Sequence, residues 1–131
     1  MDIEIVVNKI IDIPQEFSLG KKSMYELVKE SGYFEVYEQI TQDLIFEALK
    51  SRPEKIEGWI MWSEDQRVSA GWYIKTENGK NIVGNFSAKG GYCETTTEYP
   101  DLITACSVFV KNKMEHSREL AIADKNKKQK K

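Results

Sequence analysis

The stretch Glu77-Asn78-Gly79-Lys80 constrains the fold of this chain more than any other. An Asn-Gly pair takes up the left-handed backbone that both central positions of a type I′ turn require, and that turn matches the twist of two antiparallel strands. Runs rich in aromatic and β-branched residues flank it, Arg67–Thr76 and Asn81–Phe86, so a hairpin is predicted. Ile74 then lies opposite Val83 and Trp72 opposite Asn85. The same composition begins at Ile56, which predicts a further strand over Glu57–Ser63, joined through the polar turn Glu64-Asp65-Gln66. With Asp65 and Gln66 as the central pair, Trp59 faces Trp72 and Met61 faces Ala70. One side of the meander then holds Trp59, Met61, Trp72, Ile74 and Val83, and the other Ile60, Trp62, Tyr73, Ile82 and Phe86. Both sides are apolar, so such a sheet is covered on both faces or keeps one for a partner.

Helical signals surround the meander. Ile3–Ile13 fits a strand through Ile3, Ile5 and Val7, but fits a helix better through Ile3, Val6, Val7, Ile10 and Ile11, with Asp2 as cap and Pro14 as stop. Ser23-Met24-Tyr25-Glu26 is a capping box, and the helix it opens stops at Ser31-Gly32. A longer helix is predicted from Tyr33 to Lys50, closed by Pro53, with Phe34, Tyr37, Ile40, Leu44, Ile45 and Ala48 as its apolar stripe. Its opposite face carries Glu35, Glu38, Gln42 and Glu47 with Asp43 beside them, and no basic residue occurs between Lys29 and Lys50. After Ser87–Tyr99, a loop or extra strand, a last helix starts near Pro100 and buries Leu102, Ile103, Cys106, Phe109, Val110 and Met114. The architecture is therefore α+β, with N-terminal helices, a three- to four-stranded antiparallel meander and a C-terminal helix. A single domain is expected over residues 1–123, with residues 124–131 a disordered lysine-rich tail.

Hydrophobic residues at 40% suffice for a packed core without disulfide or metal, and no apolar run is long enough to span a bilayer. Asp2 and Glu4 stand where a secretory signal would carry Lys or Arg, so a cytoplasmic protein is expected. Asp124–Lys131 carries five Lys and one Asp, a local +4, which leaves −6 of the overall −2 on residues 1–123. An acidic body does not suit nucleic-acid binding, where phosphates must be neutralised; it suits a basic partner.

Chemistry-bearing patterns are sparse. Cys93 and Cys106 form no CxxC and have no companion His at metal spacing, and Cys106 reads as core. The one histidine, His116, lies on a highly charged stretch and reads as a surface residue. Ser18-Leu19-Gly20-Lys21 has the SxxK spacing without the SDN and KTG elements that give it meaning. Glu64 and Asp65 beside Arg67 suit acid–base work or cation binding, but equally a charged hairpin turn, which is the favoured reading. The sequence shows no catalytic constellation, so no cofactor, no metal and no enzymatic activity are predicted.

The acidic helix Glu35-Val36-Tyr37-Glu38-Gln39-Ile40-Thr41-Gln42-Asp43, the stretch Trp59–Arg67 and the small α+β plan together resemble the cytoplasmic immunity proteins of bacterial contact-dependent growth inhibition and other polymorphic toxin systems. The resemblance implies a non-catalytic protein that neutralises a cognate toxin, often a nuclease with a basic active site, by occluding it. Those proteins share no functional motif, so the candidate contact residues come from the chain itself. Glu35, Glu38, Asp43, Glu47, Glu64 and Asp65 would stand in for phosphates, and Trp62 and Tyr73 would be the apolar anchors. A competing expectation is a regulatory or ligand-binding module with a pocket between the meander and the last helix. An RNA-associated role for the lysine tail is a third, and predicts salt-sensitive binding lost on deleting residues 124–131.

Overall fold

Asp2 opens the first helix, α1 (Ile3–Ile11), its carboxylate accepting from the Glu4 N–H at 2.9 Å. The helical period wins in this stretch because it gathers Val6, Val7, Ile10 and Ile11 on one buried face. The structure is a computed structural model that describes residues 2–66, 71–87 and 93–129, with the side chains of 65, 66, 71, 86, 87, 93, 94 and 124–129 outside the description. Pro14 does not end the helical region. The chain turns at Asp12 into α2 (Ile13–Ser18), where Pro14 occupies the first turn and its missing N–H costs nothing.

α3 (Met24–Ser31) begins at Ser23, whose hydroxyl accepts from the Glu26 N–H at 3.2 Å and donates to the Glu26 carboxylate at 3.3 Å. It ends at Gly32, with φ 92°. The single helix expected from Tyr33 to Lys50 is broken into α4 (Tyr33–Val36), a 3₁₀ turn (Tyr37–Gln39) and α5 (Gln42–Ser51). Thr41 causes the break. Its backbone is extended and its hydroxyl accepts from the Leu44 N–H at 3.2 Å, capping a new helix, while Ile40 stays fully buried.

The strand expected over Glu57–Ser63 is instead part of a helix, α6 (Glu54–Gln66). Ile56, Trp59, Trp62 and Ser63 fall on one helical face and are buried there, so tertiary burial overrides the strand propensity of the tryptophans and isoleucines. Trp59 therefore meets the Phe109 ring edge-on at 5.9 Å rather than facing Trp72, and Met61 is exposed to solvent on α6, its expected partner Ala70 lying outside the described residues.

The sheet comprises β1 (Gly71–Glu77), β2 (Lys80–Ser87) and β3 (Cys93–Tyr99), antiparallel in the order β1-β2-β3. The hairpin register is the expected one, Ile74 against Val83 and Trp72 against Asn85. Asn78 at φ 53° and Gly79 at φ 76° make the type I′ turn. The expected strand start at Arg67 lies outside the described residues. Ile74 and Val83 are buried under helices, whereas Tyr73, Lys75 and Ile82 occupy the other face and are half-buried. On that outer face the Tyr73 ring lies over its cross-strand partner Gly84, where a Cβ would collide with the ring.

The last helix, α7 (Leu102–Gln129), begins close to Pro100 as expected, with Asp101 just before its first residue. The Asp101 carboxylate accepts from the Thr104 N–H at 2.7 Å, which holds its pKa below the usual range. Cys106, Phe109, Val110 and Met114 are fully buried, as the stripe predicted. α7 packs on the sheet and on α5, and its helical backbone continues to Gln129. Among the described residues there are seven α-helices and one three-stranded antiparallel sheet, a single α+β domain.

Candidate functional site

The described surface from Tyr33 to Ser51 carries the acidic residues read from the sequence. Glu35 lies on α4, Glu38 on the 3₁₀ turn, and Asp43 and Glu47 on α5; all four are exposed. Glu38 accepts from the Tyr37 hydroxyl at 3.0 Å. Among the described residues Glu35, Asp43 and Glu47 enter no ion pair, whereas Asp12, Glu30, Glu77, Glu98 and Glu115 each hold a Lys or Arg. Carboxylates left free of internal partners keep their charge available for a partner.

Beside this surface α1 and α5 lie side by side. Arg52, just past α5, donates to Asn8 at 3.3 Å and to Asp12 at 2.8 Å, tying the carboxyl ends of the two helices together. A groove of about 400 Å³ runs between them, lined by Ile3, Val7, Leu44 and Ala48 with Asn8 and Ser51, and bordered by Glu4 and Glu47. A second groove, about 560 Å³, opens between α2 and α6 over Ile11, Pro14, Phe17, Met61 and the edge of Trp62.

The segment is held against α7 by a closed polar network. The Tyr33 hydroxyl donates to Glu115 Oε2 at 2.6 Å, and Arg118 Nε donates to the same oxygen at 2.9 Å. Lys111 Nζ donates to the Tyr33 hydroxyl at 2.8 Å and to the Tyr37 carbonyl at 3.2 Å, and the Arg118 guanidinium stacks 4.0 Å from the Tyr37 ring centre. Burial, reinforced by Glu115, pushes the Tyr33 pKa far above its ordinary value. Burial pulls the Lys111 pKa down. For Glu115 burial acts upward, but Arg118, Tyr33 and Lys111 together outweigh it and hold the carboxyl below its usual range. The buried Tyr33 thus keeps its proton and is no nucleophile; these contacts fasten the acidic segment in place.

That network gives stability a pH dependence of known sign. A carboxyl whose folded pKa lies below its unfolded one stabilises the fold above the unfolded value, about 4.3 for Glu, and loses that contribution as pH falls through the folded value. Urea midpoints measured from pH 7 down to pH 3 are expected to place Glu115→Gln below the parent at neutral pH, with the gap closing in acid. A gap that stays constant would show that Glu115 is not held ionised by its neighbours.

The other candidates fare differently. Trp62 is only 8% exposed and meets Trp59, Phe109 and Phe17, so it is a core residue and not the exposed anchor expected of it. Glu64 is exposed on the last turn of α6, which replaces the expected hairpin turn; the Asp65 side chain and all of Arg67 lie outside the described residues. Tyr73 sits on the sheet face turned away from α7, so the structure does not bring it together with Glu35, Glu38, Asp43 and Glu47. Glu4, Ile3 and Val7 are the residues sequence reasoning missed, since their neighbours Leu44, Glu47 and Ala48 come from a distant helix. Burial raises the Cys106 thiol to about 12, which makes it inert, and burial lowers the half-buried His116. Among the described residues no cluster of His, Cys, Asp and Glu is placed to hold a metal, and no helix is long and apolar enough to cross a membrane. No protein-family model, curated protein or solved structure matches this chain.

Proposed function

We propose that this protein is a non-catalytic inhibitor that binds a basic partner, a cognate bacterial toxin domain of the nuclease type, and occludes its active site. The observation that carries the reading is the run of exposed carboxylates Glu35, Glu38, Asp43 and Glu47 on a stretch without a single Lys or Arg. Such a surface meets the cationic groups that would otherwise hold phosphates, and it steers encounter through long-range attraction. The Tyr33–Glu115–Lys111 latch supports the reading because a segment fixed before binding loses less entropy on binding. A second reading rests on the groove between α2 and α6, whose size suits a small apolar ligand. Between the sheet and α7, where a pocket is expected from the sequence, Ile74, Val83, Cys106 and Phe109 are buried among the described residues.

Affinity capture of the tagged protein from its native cells, analysed intact by mass spectrometry, tests the proposal. A stoichiometric basic polypeptide is expected, together with restored growth when the two are co-expressed; recovery of the lone chain or of a small ligand overturns it. With that partner in hand, reversing Glu35 and Glu38 to Lys is expected to slow association by about tenfold or more at low salt, and by less at high salt. Stopped-flow association rates at two ionic strengths check this, and unchanged rates would remove the α4 end of the surface from the site.

A further inference from the structure

The groove between α1 and α5 has the chemistry of a docking seam and not merely of a surface irregularity. Its floor is apolar, through Ile3, Val7, Leu44 and Ala48, with Leu44 39% exposed, and the only charged residues that line it are Glu4 and Glu47. Neither carboxylate is held in an ion pair among the described residues. The floor residues stand four apart on each helix, 3 and 7 on α1 and 44 and 48 on α5, which is the seam two helices offer to a third. At 1.5 Å per residue, helices of nine and ten residues give a track about 14 Å long, which takes two to three turns of an incoming helix.

We propose that this groove receives a basic amphipathic helix of the partner protein, its apolar residues at i, i+4 and i+7 entering between Leu44 and Ile3 and its flanking Lys or Arg meeting Glu4 and Glu47. The assignment rests on the toxin-binding reading and extends it from the exposed carboxylates to α1. A second copy of this chain fits less well. On α7 it offers Leu120, 53% exposed, and Ile122, 46% exposed, but residues two apart point to nearly opposite sides of a helix and do not enter one groove together. A nucleic acid is repelled by both carboxylates.

The test titrates the full-length ¹⁵N-labelled chain with a synthetic helical peptide bearing leucines at i, i+4 and i+7 flanked by lysines, and with a counterpart carrying glutamates instead. Amide shifts are expected to cluster over residues 3–8 and 44–51. The glutamate peptide, and a Glu4→Lys/Glu47→Lys double variant given the lysine peptide, are each expected to bind about tenfold more weakly or worse. Both glutamates are exposed, so the variant should keep the parent spectrum elsewhere, and Leu44→Ser tests the apolar floor independently. No shift at about 1 mM peptide, shifts centred on the α2–α6 groove, or equal binding of the two peptides overturns the proposal. Self-association in sedimentation velocity that the double variant abolishes would overturn it in favour of a second copy. Capture of a basic partner alongside a silent peptide titration would remove the groove while leaving the proposed function standing.

Discussion

Ser63→Ala is expected to lower the free energy of unfolding by roughly 2–6 kcal/mol, a large share of the about 5–15 kcal/mol available to a domain of this kind. β1 is an edge strand, and the backbone groups of Ile74 that point away from β2 would be orphaned in the interior. Ser63 on α6 satisfies both. Its hydroxyl accepts from the Ile74 N–H at 2.9 Å and donates to the Ile74 carbonyl at 3.1 Å, and both residues are buried. Alanine removes the one side chain among the described residues that reaches them and leaves a donor and an acceptor dry, at about 1–3 kcal/mol each. Ser107→Ala is the internal control. Ser107 is equally buried, but its hydroxyl merely donates to the Thr104 carbonyl one turn back in the same helix, so its loss is expected to cost no more than about 1 kcal/mol. Urea denaturation of the two variants decides the matter. Equal losses would show that Ser63 is an ordinary core serine and that the edge is satisfied in some other way.

What the chain discloses in advance follows how local the deciding interaction is. The β1–β2 register was legible to the residue because Asn78-Gly79 sets it through its own backbone preference. The buried stripe of α7 was legible because it repeats at helical spacing over many turns. Residues 59–62, Trp-Ile-Met-Trp, do not disclose their state because four consecutive apolar positions satisfy a strand and a helix equally. Only the fit of Trp59 and Trp62 against Phe109 decides between them, and Phe109 is far away in sequence. The break at Thr41 was written in a capping residue, but a continuous apolar stripe running through it concealed the signal.

The candidate site divides along the same line. That Glu35, Glu38, Asp43 and Glu47 would be exposed could be read from a stretch of the chain without basic residues, since unpaired carboxylates are not buried. That Glu4 would stand across a groove from Glu47 could not, because nothing local pairs α1 with α5; Arg52 does so in the folded chain through Asn8 and Asp12. Trp62 reads as an anchor in the sequence because aromatic residues beside carboxylates are what interfaces use, whereas its position on α6 buries it.

Trp62→Ala is expected to cost about 3–5 kcal/mol, the range for emptying an aromatic site in a well-packed core. The ring meets Trp59 at 5.9 Å and Phe17 at 6.3 Å edge-on and Phe109 at 6.4 Å, and Lys113 lies 4.8 Å above it. Truncation therefore loses packing on several sides and strips the aromatic face from a lysine that burial already pulls below its ordinary pKa. Trp62→Phe separates core from contact. The indole N–H has no hydrogen-bond partner among the described residues, so phenylalanine loses volume but no hydrogen bond, at about 1–2 kcal/mol. The phenylalanine variant is expected to stay folded and to bind the captured partner as the parent does, while the alanine variant shifts its urea midpoint strongly and loses binding only through unfolding. An alanine variant with the parent's midpoint and no affinity would reverse this, placing Trp62 in the interface and opening the α2–α6 groove as the site of contact.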